Sequence, residues 1–120
     1  MMSGPGAREQ AGSQSPRRFA RYPADIRIEV QVFRTTGAVS YWGRSNELGE
    51  DGVGATMTGE IEPGEVVSME LTVPTTSLPM KFRALVRYRM GLRHGFEFLA
   101  LSAEQRTALQ ELCKTLSTGL

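Results

Sequence analysis

Residues 25–33 alternate between apolar and polar side chains with a period of two. Every second position carries a branched apolar residue, and the positions between them are charged or polar. The apolar set is Ile26, Ile28, Val30 and Val32. Because successive side chains of a strand point to opposite faces, this pattern predicts a β-strand with one face in a core and the other in solvent. The foldable part of the chain therefore opens with a half-buried strand.

Further strand-like segments follow, each bounded by turn residues such as Gly, Pro or Asp. They cover residues 39–46, 53–57, 65–73, 81–90 and 94–101. Short strands at this spacing predict a small all-β barrel or sandwich. Trp42 lies within the second strand, and we interpret it as a barrel-packing residue rather than a platform on which a base stacks.

The segment 81–90 has the cleanest alternation. Its predicted core face holds Phe82, Ala84, Val86, Tyr88 and Met90. Its other face is mostly basic and holds Lys81, Arg83, Leu85, Arg87 and Arg89. A basic strand face is most often a solvated surface. The alternatives are a docking surface for an acidic partner, or additional phosphate contacts beside a bound ligand.

One helix is predicted after the last strand. Ser102 and Gln105 match a capping box, in which each side chain covers the backbone N–H of the other residue. An apolar stripe at helical spacing follows and comprises Leu109, Leu112, Cys113 and Leu116. We expect this helix to pack on the barrel, with Cys113 acting as a small buried hydrophobe rather than as a nucleophile.

Composition narrows the function classes. A chain of 120 residues predicts one domain, and a net charge of +1 does not favour binding to a nucleic acid duplex. One cysteine and one histidine exclude disulfide frameworks, zinc clusters and any Cys/His or Ser/His arrangement that needs more than one of either residue. No apolar run approaches a membrane span, and the N-terminus lacks a signal-peptide core, so we expect no membrane insertion and a cytoplasmic location.

The first 16 residues are rich in Gly, Ser, Pro and Gln. Such a segment buries too little apolar surface to offset its ordering entropy, so residues 1–16 are predicted to be a flexible leader. We expect the folded domain to cover residues 17–116 and residues 117–120 to form a tail.

Arginines stand where the leader meets the first strand. Arg17 and Arg21 are separated by three residues, and Arg18 lies between them. A guanidinium donates in a rigid fork to phosphate oxygens or to the O6/N7 edge of guanine, and it also stacks on bases. The pair is therefore suited to holding a nucleotide. The simpler alternative is a solvated basic tail.

An acidic, glycine-containing turn is predicted at residues 47–52. Residues 46–65 carry six carboxylates and no basic residue. We expect Glu47, Glu50 and Asp51 either to form an ordinary hairpin turn or to attract the arginines when no ligand is bound.

These features together resemble the PilZ domain family, whose members are small β-barrels that bind the bacterial second messenger cyclic di-GMP. The resemblance covers residues 17–116 and includes the arginine pair, the turn at 47–52 and a helix that opens after the run GFEFLALS. It implies a six-stranded antiparallel β-barrel with one C-terminal α-helix. The family's first motif, RxxxR, is matched by Arg17 and Arg21, which would contact guanine edges and phosphates.

The second family motif, [DN]xSxxG, is matched only in part. It falls on the run from Glu47 to Gly52, of which only Gly52 agrees. Glu47 replaces Asp or Asn and can still accept from guanine, whereas Gly49 replaces serine and removes one hydroxyl. The resemblance thus implies a ligand site made of Arg17, Arg18, Arg21, Glu47, Gly49 and Gly52.

The resemblance favours a cyclic di-GMP receptor module that signals to a downstream protein effector, with no metal or cofactor. The degenerate second motif supports an alternative, a PilZ-like adaptor that recognises proteins and binds nucleotide weakly or not at all. The basic strand suggests a third class, a nucleic-acid-binding barrel, although interleaved exposed aromatics are missing. An enzyme is the least favoured class, because no nucleophile, metal cluster or acid/base pair can be assembled.

Overall fold

The computed structural model describes residues 18–73 and 78–119. The predicted leader at residues 1–16, together with Arg17, lies outside the described residues. Seven strands are present in the described part of the chain: β1 (Tyr22–Pro23), β2 (Arg27–Arg34), β3 (Gly37–Leu48), β4 (Gly52–Met57), β5 (Val66–Thr72), β6 (Met80–Met90) and β7 (Arg93–Leu99). One helix, α1 (Ala103–Ser117), follows them.

The strands form one antiparallel sheet that closes on itself. The order across the sheet is β1-β3-β2-β5-β6-β7-β4, and β4 pairs back with β3. Six strands therefore make the closed barrel, and the two-residue β1 pairs with the C-terminal end of β3, beyond the stretch that pairs with β2. The predicted all-β class, six-stranded barrel and C-terminal helix are confirmed, and β1 is an addition that the sequence pattern did not predict.

Strand β2 follows its predicted alternation. Ile28 and Val30 are fully buried, and Ile26 and Val32 are nearly so. The odd-numbered side chains Glu29 and Gln31 face solvent. The buried even-numbered side chains belong to a single core that fills the barrel.

Strand β6 departs from its predicted alternation near its end. The pairing between β6 and β7 shifts register between Val86 and Tyr88, a β-bulge. A bulge inserts one extra residue and turns the following side chains to the other face. As a result, Tyr88 is 40% exposed and Met90 is 75% exposed, so the prediction that both lie in the core is wrong.

Trp42 also lies outside the barrel. It is 45% exposed, and the guanidinium carbon of Arg27 sits 4.7 Å from the centroid of its ring. The prediction of barrel packing is wrong because Trp42 occupies the outward-facing register position of β3, opposite Glu29 on β2.

The helix begins with the predicted capping box. The Ser102 hydroxyl accepts from the Gln105 amide, and the Gln105 side chain accepts from the Ser102 amide. The Gln105 side chain also donates to the Lys81 carbonyl at 2.8 Å, which ties the helix start to β6. Leu109, Leu112 and Cys113 are buried against the barrel, as the apolar stripe predicted. Within residues 18–73 and 78–119, no helix is long and apolar enough to cross a membrane.

Candidate ligand site

The site is built on the hairpin that joins β3 to β4. The Gly49 amide donates to the Gly52 carbonyl at 2.9 Å and closes a tight turn of residues 49–51. The strands reach further into this motif than the sequence predicted, since Glu47 and Leu48 end β3 and Gly52 begins β4. The six-residue turn predicted at 47–52 is thus wrong in its bounds, because strand pairing continues through Glu47–Gly54 and Leu48–Val53.

Gly52 is required by the close approach of two strands. It pairs with Glu97 across the β4–β7 ladder. A Cβ atom at this position would overlap the carbonyl oxygen of Phe96. The motif glycine therefore lets β7 pack directly against the end of the turn, which fixes the position of β7 side chains relative to the hairpin.

Strand β1 carries Arg21 to the same turn. Tyr22 pairs with Leu48, so the residue just before β1 lies over the start of the hairpin. The Arg21 guanidinium donates from Nη1 to Glu47 Oε2 and from Nε to Asp51 Oδ1, both at 3.3 Å. Its side chain is only 16% exposed, against 26% for Glu47 and 36% for Asp51. The expected attraction between an entering arginine and the acidic turn is present in these two ion pairs.

The absence of a side chain at Gly49 leaves space for the Arg21 side chain. A Cβ there would lie 2.7 Å from Cδ of Arg21 and 2.8 Å from the Ala20 carbonyl oxygen. Separations under about 3.0 Å force a neighbour to move. The φ of Gly49 lies outside the left-handed region, so its constraint is this contact and not backbone strain.

The structure brings four of the six predicted site residues together: Arg21, Glu47, Gly49 and Gly52. Arg18 is exposed and makes a different contact, with its guanidinium carbon 5.7 Å from the centroid of the Phe19 ring. Arg17 lies outside the described residues, so its place in the site stays a prediction.

A cavity of about 210 Å³ opens beside the turn. Its lining comes from Arg21, from the hairpin turn and from the strands β6 and β7. These residues are Arg21, Asp51, Arg87, Tyr88, Gly95, Phe96 and Glu97. The sequence pattern missed Tyr88 as a residue of this cavity because it assigned that side chain to the core, and only the basic row on β6 pointed to Arg87.

A second cavity, of about 360 Å³, lies on the outer face of β2, β3 and β5 around Trp42 and Arg27. None of the predicted site residues lines it. Size alone does not identify a ligand site, and the smaller cavity is the one that adjoins the arginine and the glycine turn.

The basic face of β6 is largely neutralised by carboxylates of neighbouring strands and of the segment between β4 and β5. Arg87 pairs with Glu97 at 3.1 Å, Arg89 with Glu62 at 3.2 Å and Lys81 with Glu70 at 3.9 Å. Alternating charge of this kind does not form the continuous positive groove that tracks a nucleic acid backbone.

Cys113 is not suited to nucleophilic chemistry. Its side chain is 4% exposed, and burial, with smaller contributions from Glu50 and Asp51, raises the pKa of the thiol to about 11. The thiol is therefore protonated at neutral pH, whereas a thiolate is the reactive form. In the described part of the chain, no group of three or more His, Cys, Asp or Glu residues could hold a metal ion.

Several solved structures share this fold. The PilZ domain of YcgR from Escherichia coli with c-di-GMP has a TM-score of 0.69 and 20% identity, covering 87% of this chain and 93% of that one. The PilZ domain of CeSA from a cellulose-synthesizing bacterium has a TM-score of 0.65 and 18% identity, covering 82% and 98%. The Bacillus subtilis inhibitor of motility MotI/DgrA has a TM-score of 0.68 and 15% identity, covering 88% and 53%.

No curated protein sequence matches the chain. The sequence model of the PilZ domain family, in contrast, matches residues 15–115. This range spans the whole barrel, the hairpin turn with its glycines and most of α1. The structural neighbours agree on the same barrel. The chain therefore belongs to the PilZ domain family.

Proposed function

We propose that this PilZ domain is a receptor module for cyclic di-GMP that passes the binding state to a protein partner. Arg17 and Arg21 hold the phosphates and guanine edges of the ligand, with Arg18 beside them. The hairpin residues Glu47, Gly49 and Gly52 form the opposite wall. Family membership and the c-di-GMP complex of the similar YcgR domain support the ligand class.

The observation that carries this proposal is the position of Arg21. Its guanidinium sits on the glycine turn, at the edge of the 210 Å³ cavity. A guanidinium is a planar, permanently charged donor that suits both phosphate and guanine acceptors. In this position it can turn from the hairpin toward a ligand in the cavity without any change in the barrel strands.

Ligand binding then requires an exchange of partners. In the free protein, Glu47 and Asp51 each accept from Arg21 at 3.3 Å, and both carboxylates are partly exposed. Partly exposed ion pairs contribute little net stability, since solvent competes for both charges. A ligand with two phosphates replaces these carboxylates as acceptors and leaves them to water or to guanine N–H donors.

The departures in the second motif reduce affinity without removing the site. Gly49 lacks the serine hydroxyl, and one neutral hydrogen bond is worth about 0.5–1.5 kcal/mol, or roughly three- to tenfold in affinity. Glu47 keeps its carboxylate within hydrogen-bonding reach of the arginine at this wall. We therefore expect measurable binding that is weaker than in a family member with the complete motif.

Calorimetric titration with cyclic di-GMP tests the proposal, with GTP and cyclic di-AMP as ligand controls. We expect saturable binding that is specific for cyclic di-GMP. Arg17→Ala and Arg21→Ala should each weaken it by about 10- to 100-fold, the range for a lost charge-assisted contact. Arg34→Ala is the matched control, because Arg34 pairs with Glu65 at 3.5 Å and is remote in sequence from the hairpin. It should bind like the wild type.

The competing function is that of a protein-interaction adaptor. The pairing of Arg21 with two carboxylates favours it, since an arginine already satisfied within the chain does not need a ligand. Absence of saturable cyclic di-GMP binding by the wild type would select the adaptor. Equal affinities for the wild type and Arg21→Ala would overturn the arginine assignment while leaving a receptor of another geometry.

A further inference from the structure

We infer that Tyr88, Arg87 and Glu97 form a guanine subsite beside the arginine and the hairpin, with Tyr88 as the stacking surface. This inference rests on the proposed function and names where the base of the ligand lies. All three side chains come from β6 and β7, outside both family motifs, and all three line the 210 Å³ cavity that Arg21 and Asp51 also line.

The β-bulge puts Tyr88 at the surface. The register shifts between Val86 and Tyr88, and Tyr88 then stands opposite Gly95. Its ring lies directly against Gly95, where a Cβ would overlap the ring carbons. A glycine at this point lets an aromatic ring rest on the backbone of β7 while 40% of the residue stays exposed, beside the cavity that it lines. Bulges are frequent at binding sites because they re-aim a side chain in this way.

A large exposed aromatic ring next to a guanidinium suits a nucleobase. Every base has a π-face, and stacking on an aromatic side chain contributes to affinity for any base. The other aromatic residue at this cavity, Phe96, is only 2% exposed and cannot offer a face. Tyr88 is thus the stacking surface among the described residues that line the cavity.

Arg87 and Glu97 supply hydrogen-bonding groups that distinguish guanine. Arg87 Nη1 donates to Glu97 Oε1 at 3.1 Å across the strands, and both side chains are about half exposed. Guanine presents acceptors at O6 and N7 and donors at N1 and N2, so it can accept from the guanidinium and donate to the carboxylate. Adenine offers an amino donor in place of O6, and the guanidinium then has no acceptor at that position.

The position of Arg21 joins this subsite to the proposed phosphate contacts. Arg21 meets Asp51 at the hairpin, Glu97 pairs with Gly52 where the hairpin joins β4, and Tyr88 stands opposite Gly95, two residues further along β7. A nucleotide whose phosphate meets Arg21 therefore has its base beside the Arg87–Glu97 pair, with the Tyr88 ring next along the same cavity.

Substitution of Tyr88 tests the stacking surface by titration with cyclic di-GMP. Tyr88→Ala should weaken binding by about tenfold, within the range for loss of one stacked base, and Tyr88→Phe should keep it within about twofold because the ring remains. Phe33→Ala, which removes another exposed ring, is the control and should bind like the wild type. Thermal unfolding of each variant identifies any loss that comes from the barrel.

A fluorescence reporter gives a readout that does not depend on affinity. The double variant Trp42→Phe/Tyr88→Trp has one tryptophan, which replaces the proposed stacking residue. Cyclic di-GMP should quench the emission of this tryptophan. The wild type, whose tryptophan lines the second cavity of about 360 Å³, should show little change at the same saturation. Binding by the double variant without any change in emission would overturn the stacking assignment.

Substitution of Glu97 tests base selectivity. Glu97→Gln keeps the shape of the side chain and removes its charge, and we expect the preference for cyclic di-GMP over cyclic di-AMP to fall by about tenfold. Glu70→Gln, at the Glu70–Lys81 pair on β5 and β6, is the matched control. If the wild type binds and neither Tyr88→Ala nor Glu97→Gln changes affinity or selectivity, the subsite is wrong while the receptor stands. If the wild type does not bind, the receptor proposal fails and the subsite fails with it.

Discussion

Two polar clusters of the barrel differ in how fully their hydrogen-bonding groups are paired and buried within the protein. One is the Arg21 cluster, in which Arg21 meets Glu47 and Asp51 at 3.3 Å with all three side chains partly exposed. The other is the His94 cluster, in which a fully buried imidazole accepts from the Ile61 amide at 3.0 Å and contacts the Leu92 carbonyl oxygen at 2.7 Å. The ion pairs of the Arg21 cluster are long and partly exposed to solvent. The hydrogen bonds of the His94 cluster are shorter, and their imidazole is buried in the core.

The hydrogen-bond partners fix the state of His94. The Leu92 carbonyl only accepts, so Nδ1 carries the proton, and the Ile61 amide only donates, so Nε2 carries the lone pair. Both ring nitrogens are satisfied in the neutral form. The cluster therefore serves the fold, whereas the Arg21 cluster retains charges that a ligand can capture.

The largest effect should come from removing the buried imidazole. His94→Ala leaves the Ile61 amide without its acceptor and opens a cavity, and we expect it to lower the free energy of unfolding by about 3 kcal/mol. Denaturant unfolding measures this loss. Arg21→Ala should lower the unfolding free energy by about 1 kcal/mol or less, because its ion pairs with Glu47 and Asp51 are partly exposed. A comparable loss in the two variants would show that the Arg21 cluster is structural as well.

A smaller effect should follow from acidification. Burial, reinforced by Arg89 and opposed by the Leu92 hydrogen bond, Glu60 and Glu62, lowers the pKa of His94 below 6.5. The unfolded chain then binds a proton that the folded chain rejects, so the contribution of His94 to stability is full above pH 6.5. It is lost as the pH falls from 6.5 through the lowered pKa.

Unfolding free energies measured between pH 8 and pH 5 in the wild type and in His94→Gln check this sign. The wild type should lose more stability than the variant over the interval below pH 6.5. Parallel curves for the two proteins would show that carboxylates, and not this imidazole, set the acid sensitivity of the barrel.

The contrast between the clusters also explains what the sequence could predict. The alternation in β2 and the capping box at Ser102 are local patterns, and both appear in the fold as expected. The resemblance to the PilZ family implied that the glycine turn and Arg21 share a site, and they are in contact. These features depend on residues near one another in the chain or on a motif of fixed spacing.

The rest of the candidate site depends on register between distant strands. A single extra residue near Arg87 moves Tyr88 from the predicted core to the cavity, and no side-chain pattern marks that bulge. The pairing of Arg87 with Glu97 follows from the same register. Strand β1, which carries Arg21 to the hairpin, has only two residues and is too short for any periodicity to reveal.

The smallest effect on stability is expected from substitutions of Gly49. They should loosen the Arg21 cluster while the barrel, and with it the His94 cluster, remains intact. Gly49→Ala and Gly49→Ser both place a Cβ against Arg21 and the Ala20 carbonyl, so both should displace this segment and speed amide exchange at residues 20–22. We expect the global unfolding free energy to change by less than about 1 kcal/mol, because the contact lies outside the core.

Of the two substitutions of Gly49, only serine also offers a hydroxyl to the ligand. Gly49→Ser should therefore bind cyclic di-GMP about three- to tenfold more tightly than Gly49→Ala, as measured by calorimetry. Equal affinities for the two variants would show that this position does not face the ligand, and unchanged exchange at residues 20–22 would show that Arg21 does not depend on the glycine for its place on the turn.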